Sequence, residues 1–231
     1  MNTREDARIA VLASGGLDSG VLIADLARES TVLPVYFRGG LRWETEELTA
    51  LNGYLRALDS PGVEPLTVLE APAESLYGVH WSTTSRSVPD AASSDDEVYL
   101  PGRNIILIGL TAVRCTLRGV GTIAIASLAG NPFPDATDEF FQQYARALSA
   151  GLDTDLRILA PYRNRPKHRL IADFAHLPLH LTLTCLTPRP GPEGPLHCGA
   201  CNKCAERRRA FARADVDDRA RYAHPSGRDL S

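Results

Sequence analysis

Apolar runs alternate with amphipathic stretches along most of the chain. Residues 9–13 form a continuous apolar run, which is typical of a buried strand, and residues 20–28 carry apolar side chains at helical spacing. Because strands and helices alternate, the pattern predicts an α/β fold with a doubly wound parallel sheet. Further strands are predicted at 31–37, 63–69, 122–128 and 156–161, and further helices at 44–58, 105–117, 138–151 and 167–176.

The stretch 75–97 departs from this alternation, since it has no hydrophobic period and many small polar residues. A loop of this length inside a domain is usually functional or disordered. Two interpretations remain open, a solvated insertion and a mobile lid over a site. His80, Trp81 and Arg86 are its strongest candidates for contact with a ligand.

A glycine-rich loop joins the first predicted strand to the first helix. Its glycines permit a tight turn, and the backbone N–H groups at a helix start favour phosphate. The loop lacks the Gly-Lys-Ser/Thr ending of the Walker motif, and it looks like the SGGxDS loop of the ATP pyrophosphatases. We expect a carboxylate of this loop to hold Mg²⁺ and its hydroxyls to bind phosphate. The nucleotide-binding candidates are Ser14, Gly15, Gly16, Leu17, Asp18 and Ser19.

Two cations are candidates for the same site. Arg103 follows a Pro-Gly turn at the start of a predicted helix, for which Asn104 is a suitable N-cap, and an arginine there suits an anionic partner. Pairing with a neighbouring acid is the alternative for Arg103. Lys167 lies in the first turn of another predicted helix, where a cation opposes the helix dipole. Reaching a phosphate is one reason for a lysine at that position.

Four of the five cysteines lie near the C-terminus, three of them at C-x₂-C-x₂-C spacing. Four thiolates are a closed ligand set for structural Zn²⁺. An iron–sulfur cluster is the main rival, but the cysteine and proline that complete the ferredoxin pattern are missing. His197 is an unnecessary substitute ligand, and Cys115 is predicted to be a core residue. The predicted zinc ligands are Cys185, Cys198, Cys201 and Cys204.

Composition is ordinary for a globular protein, with 231 residues, 44% hydrophobic and 23% charged. A net charge of −3 argues against a protein whose main role is to grip nucleic acid. No signal peptide or membrane-spanning run is visible, so a cytoplasmic protein is predicted. We expect an ATP-binding domain over 1–180 and a zinc-binding region over 181–231 packed on it, with 207–209 covering a helix end.

Together the motifs resemble the 7-cyano-7-deazaguanine synthases, the QueC-type enzymes among the PP-loop ATP pyrophosphatases. The shared features are SGGLDS, the Leu-Pro-Gly-Arg-Asn-Ile segment at 100–105, Pro161 ahead of Lys167, and the cysteine set followed by 207–211. They extend over nearly the whole chain in the same order.

The resemblance implies an ATP-dependent ligase of queuosine biosynthesis. Such an enzyme adenylates 7-carboxy-7-deazaguanine and, with ammonia, forms an amide and then the nitrile 7-cyano-7-deazaguanine (preQ0). It implies Mg²⁺ in the active site and a structural Zn²⁺ on the four cysteines. By the same resemblance the loop 14–19 binds ATP phosphates, Asp18, Arg103 and Lys167 serve the chemistry, and the enzyme is a homodimer.

Two segments depart from the family pattern, namely Arg38 to Arg42 and the loop 127–137, in which only Pro-Asp survives. Two alternatives therefore accompany the synthase hypothesis. One is a QueC-like enzyme of an accessory or defence pathway, which passes the same or a related carboxylate to another amine of a small molecule or protein. The other is a sensor that binds ATP without turnover.

Overall fold

The computed structural model describes residues 7–224, and its centre is a five-stranded parallel sheet. The strand order β3-β2-β1-β4-β5 places β1 in the middle and carries the chain outward first to one edge and then to the other. This doubly wound arrangement confirms the predicted fold class. The strands are β1 (Arg8–Leu12), β2 (Thr31–Arg38), β3 (Thr67–Glu70), β4 (Thr122–Ala124) and β5 (Arg157–Leu159).

Helices cover both faces of the sheet. Along β1, Ile9 and Val11 belong to one core cluster, whereas Ala10 and Leu12 belong to the other. This alternation follows from the two-residue period of a strand. The first face is covered by α1 (Leu17–Leu26), α2 (Glu44–Leu58), α7 (Lys167–Asp173) and α8 (Asn202–Ala214), and the second by α5 (Arg103–Thr116) and α6 (Asp138–Leu152). In the part of the chain that the structure describes, no helix has the length and apolarity needed to cross a membrane.

Strand boundaries differ from the predicted ones. The third strand starts at Thr67, while Val63 makes only an isolated bridge to Val32. Pro65 lies between them and has no N–H to donate to a ladder, which explains the late start. The strands β4 and β5 are also shorter than predicted, at three residues each.

The stretch 75–97 is more ordered than the sequence indicated. It includes most of α3 (Ala73–Tyr77), all of α4 (Trp81–Thr84) and most of a 3₁₀ turn (Asp95–Val98). Its later part is attached to the C-terminal region, because Asn202 donates its side-chain N–H to the Ser93 carbonyl at 2.7 Å. The sequence shows no helical period of apolar residues here, because each of these helices is only about one turn long.

The C-terminal region packs on the sheet layer through α8, whose Phe211 lies in the same core as α1. Arg207 is buried and pairs with Asp218 at 2.9 Å, while it also donates to the Leu179 carbonyl at 3.0 Å. The prediction that 207–209 only cover a helix end is therefore wrong for Arg207. The boundary at residue 180 stays a prediction.

Candidate active site

The loop 14–19 lies beyond the carboxyl end of the central strand, which is where ligands bind in open α/β sheets. Its two serine hydroxyls are 3.1 Å apart, and Ser19 Oγ accepts the backbone N–H of Ser14. Gly15 has φ +70°, and a Cβ there would lie 2.6 Å from the carbonyl oxygen of Glu47. The loop thus depends on glycine both for its backbone conformation and for space.

A cavity of about 420 Å³ opens above this loop, within the range of small-molecule sites. Three buried oxygens on its lining residues accept or donate no hydrogen bond within residues 7–224: Asp18 Oδ1, Ser127 Oγ and Thr184 Oγ1. Buried polar atoms are normally paired, so these atoms indicate a polar ligand. Leu17 lines the cavity but buries its side chain in the core.

Asp18 lies in the first turn of α1, at the floor of the cavity. Its Oδ2 is 3.2 Å from Lys167 Nζ, which leaves Oδ1 as an unpaired carboxylate oxygen. Burial raises the pKa of Asp18, and the neighbouring Lys167 only partly offsets that effect. A hard cation such as Mg²⁺ fits this oxygen, because Mg²⁺ prefers carboxylate oxygens and Asp18 Oδ1 has no hydrogen-bond partner within residues 7–224.

Lys167 is the first residue of α7, as predicted, and it contacts two acids. Besides Asp18, it lies 2.6 Å from Glu206 Oε1, and Glu206 Oε2 is 2.8 Å from Lys203 Nζ. Burial acts to raise the pKa of Glu206, but the two lysines lower it to about 2. Lys203 and Glu206 were not predicted as site residues. The cysteine motif that surrounds Lys203 was the only sequence signal near them.

Arg103 is the first residue of α5 and lines the same cavity. The expected N-cap role of Asn104 is wrong, since Gly102 caps the helix with φ +71°. Asn104 instead binds Asp135, which accepts its backbone N–H at 3.0 Å and receives its side-chain N–H at the backbone carbonyl, also at 3.0 Å. The surviving Pro-Asp of the 127–137 loop therefore holds the start of the helix that carries Arg103.

Glu47 is a second acid that sequence reasoning missed. It lies in α2 beneath the glycine loop and accepts the Tyr36 hydroxyl at 2.9 Å. Burial raises its pKa to about 7, although Arg103 and the Tyr36 hydrogen bond act in the opposite direction. This carboxyl group can therefore take up or release a proton near neutral pH.

Aromatic side chains form the outer part of the cavity. Trp81 stacks on Trp43 with ring centroids 5.7 Å apart, and Tyr99 packs against Phe133 at 4.8 Å. Of the three candidates in the 75–97 stretch, Trp81 lines the cavity. His80 caps α4 by accepting the Ser82 backbone N–H, and Arg86 is exposed outside the cavity lining.

The four predicted zinc ligands converge next to this cavity. Their sulfur atoms all lie within 4.8 Å of one another, with Cys198–Cys204 at 3.8 Å and Cys185–Cys201 at 3.9 Å. A tetrahedral site with Zn–S bonds of about 2.3 Å places its sulfurs about 3.8 Å apart. Each sulfur also accepts a backbone N–H, which stabilises thiolate charge. The geometry fits zinc.

His197 and Cys115 lie outside this ligand set. The Nε2 atom of His197 accepts the Thr184 backbone N–H at 3.0 Å, so the histidine orients the loop instead of supplying a ligand. Cys115 is buried in the α5 core cluster, as predicted.

Comparison with known proteins agrees with this geometry. The family model described as queuosine biosynthesis protein QueC matches residues 8–215. A protein of Methanothermobacter thermautotrophicus named 7-cyano-7-deazaguanine synthase is 30% identical over 230 residues, which cover 93% of this chain and 99% of that protein. The 7-cyano-7-deazaguanine synthase 1 of Sphingopyxis alaskensis is 32% identical over 228 residues, with 93% and 98% covered. The chain therefore belongs to the QueC family.

Proposed function

We propose that this protein is a 7-cyano-7-deazaguanine synthase, which uses ATP and ammonia to convert the carboxylate of 7-carboxy-7-deazaguanine into a nitrile. The observation that carries the proposal is the arrangement of one cavity. The SGGLDS loop lies on its floor, and Arg103 and Lys167 lie on its walls. The names of the relatives supply the substrate class.

In this proposal, the substrate carboxylate attacks the α-phosphorus of ATP, and pyrophosphate leaves with the electrons of the broken P–O bond. Ammonia displaces AMP from the acyl-adenylate to give the amide. The amide oxygen then attacks the α-phosphorus of a second ATP and releases another pyrophosphate, and the activated amide loses AMP and two protons to give the nitrile. No covalent enzyme intermediate is needed, so positioning and charge stabilisation account for the catalysis.

The polar and charged residues predicted for the site have roles in this reaction. Ser14, Ser19 and the backbone N–H groups of the glycine loop bind phosphate oxygens at the positive end of α1. Arg103 and Lys167 stabilise the charge that develops as pyrophosphate leaves. Mg²⁺ bound through Asp18 would neutralise part of the phosphate charge. Zinc on the four cysteines is structural, because all four ligand positions are filled by protein.

The outer cavity is the place for the deazapurine ring. Trp81, Trp43, Tyr99 and Phe133 offer flat apolar surfaces on which a heterocycle can stack. A cytoplasmic location and a homodimeric state remain predictions.

The test is product analysis by mass spectrometry after incubation with ATP, Mg²⁺, ¹⁵N-ammonia and 7-carboxy-7-deazaguanine. We expect a nitrile that carries one ¹⁵N atom, formed by the wild type and by Glu29→Ala, a change of an exposed acid just after α1. Asp18→Ala should lose the product. An amide as the final product would contradict nitrile synthesis and support transfer to an amine. ATP binding without pyrophosphate release would support a sensor.

A further inference from the structure

Four side chains of alternating charge line one wall of the cavity. Asp18 contacts Lys167, Lys167 contacts Glu206, and Glu206 contacts Lys203, at 3.2, 2.6 and 2.8 Å. All four side chains are mostly buried, with exposed fractions between 13% and 26%. The set carries two negative and two positive charges, so it is neutral before any ligand binds.

Two members of the set come from the C-terminal region. Lys203 lies between Cys201 and Cys204, and Glu206 follows one turn later on α8. Their backbone is therefore fixed by the cysteine cluster as well as by the helix. Lys203 is linked to the phosphate loop through Glu206 and Lys167, and its other acidic neighbour, Asp95 in the 3₁₀ turn, is 4.0 Å away.

Binding of a triphosphate changes what Lys167 must do. In the proposed reaction Lys167 donates to phosphate oxygens. Two of its three N–H donors face Asp18 and Glu206, so one serves phosphate directly and any further donor turned toward phosphate is lost from one of the two acids. Mg²⁺ compensates Asp18, but Glu206 would then be a buried carboxylate facing an anionic ligand. A second cation must remain on Glu206 for this arrangement to bind ATP well.

We propose that Lys203 is a positioning residue of the ATP site, which holds Glu206 and neutralises its charge while Lys167 engages the phosphates. The inference deepens the proposed function and rests on it for the identity of the ligand. The alternative role, direct contact between Lys203 and phosphate, is an outcome of the test.

The experiment measures binding of α,β-methylene-ATP with Mg²⁺ to the zinc-loaded protein by calorimetry. Lys203→Met should weaken binding about tenfold, since it leaves the buried Glu206 carboxylate with Lys167 alone, the cation that the phosphates also require. Lys203→Arg keeps the charge and should restore most of the affinity. The double change Lys203→Met with Glu206→Gln removes both charges and should return the affinity to within about threefold of wild type. In turnover assays, Lys203→Met should raise KM for ATP more than it lowers kcat.

A matched control is available on the other side of the molecule. Glu64 also bridges two cations, Arg8 at 2.8 Å and Arg118 at 3.1 Å, and none of the three lines the cavity. Arg118→Met, alone or with Glu64→Gln, should leave binding of the analogue unchanged. Zinc content and melting temperature are recorded for every variant, so that loss of folding is separated from loss of binding.

If the wild type binds the analogue, either of two results would overturn the proposal. One is wild-type affinity in Lys203→Met. The other is a double variant that binds as weakly as Lys203→Met, which would indicate direct contact between Lys203 and phosphate. If the wild type itself binds no analogue, the proposed function fails and this inference fails with it.

Discussion

Gly15 is a position where the backbone conformation and the neighbouring chain both require glycine. With φ +70° and the Glu47 carbonyl oxygen 2.6 Å from where a Cβ would lie, any side chain displaces the loop from α2. Gly15→Ala should lower the free energy of unfolding by about 1–3 kcal/mol. It should also abolish ATP-analogue binding, measured by calorimetry.

Gly53 provides the contrast, because it lies inside α2 with nothing within 4 Å of a Cβ. Gly53→Ala should raise stability by about 0.5–1 kcal/mol and leave binding unchanged. Wild-type binding by Gly15→Ala would show that the loop tolerates a side chain, contrary to the prediction.

Glu47 predicts a pH dependence of stability. Its pKa in the folded protein, about 7, lies above the ordinary value of 4.5, so the folded state holds the proton more tightly than the unfolded state. The resulting stabilisation is full below about pH 4.5 and is lost as the pH rises through 7. The Glu47 side chain is only partly buried. Between pH 5 and pH 8 we therefore expect the free energy of unfolding of the wild type to fall by about 1–2 kcal/mol more than that of Glu47→Gln.

Urea denaturation at the two pH values measures this difference. Glu46→Gln, at the neighbouring position of α2, should keep the pH dependence of the wild type. Parallel pH profiles for wild type and Glu47→Gln would show that Glu47 does not carry the proton.

At the scale of elements, the placement of Arg103 depends on a contact between α5 and the 127–137 loop. Asp135 accepts the Asn104 backbone N–H and so pairs an N–H group in the first turn of α5, although it lies 31 residues further along the chain. Asp135→Ala should lower stability by about 1 kcal/mol, as loss of a helix cap does. It should also lower kcat/KM about tenfold, since the proposed reaction needs Arg103 in place to stabilise the developing charge.

Thr137→Ala separates these two effects. Thr137 caps α6 by accepting the Phe140 backbone N–H at 3.1 Å, and no residue of α6 lines the cavity. The Thr137→Ala variant should lose a similar amount of free energy of unfolding, and its kcat/KM should be unchanged. Equal kinetics for the two variants would mean that Asp135 acts on stability alone.

The elements explain which site residues the sequence could reveal. Ser14 to Ser19 are contiguous, so their spacing alone identifies the loop and the strand and helix around it. Lys203 and Glu206 act beside Lys167 only because α8 packs on α7, and that contact joins positions far apart in the chain. Glu47 could not be predicted as a site residue from the sequence for the same reason, since its burial depends on how α2 lies against the glycine loop.

At the scale of the whole molecule, the cysteine cluster joins two parts of the site. It packs with Trp81 of the 75–97 stretch and with Val98 directly after that stretch, and it fixes Lys203 at the cavity. Removal of zinc, or Cys198→Ser, should therefore lower stability by on the order of 3 kcal/mol or more and weaken ATP-analogue binding. Metal analysis verifies the loss of zinc, and denaturation and calorimetry measure the two effects.

Cys115→Ala is the control for that experiment, because it changes a buried cysteine outside the cluster. It should keep a single zinc ion per chain and lose only about 1 kcal/mol of stability. Undiminished analogue binding by the zinc-free protein would show that the cluster does not support the ATP site.

The pairing of Arg207 with Asp218 decides where the chain can be shortened. The family match ends at residue 215, so a protein trimmed to that match would keep every cysteine and all residues that line the cavity. It would nevertheless enclose a guanidinium without its carboxylate, at a cost of about 3–5 kcal/mol. The smallest stable form of this enzyme therefore extends at least to Asp218, beyond the last position that the family model matches.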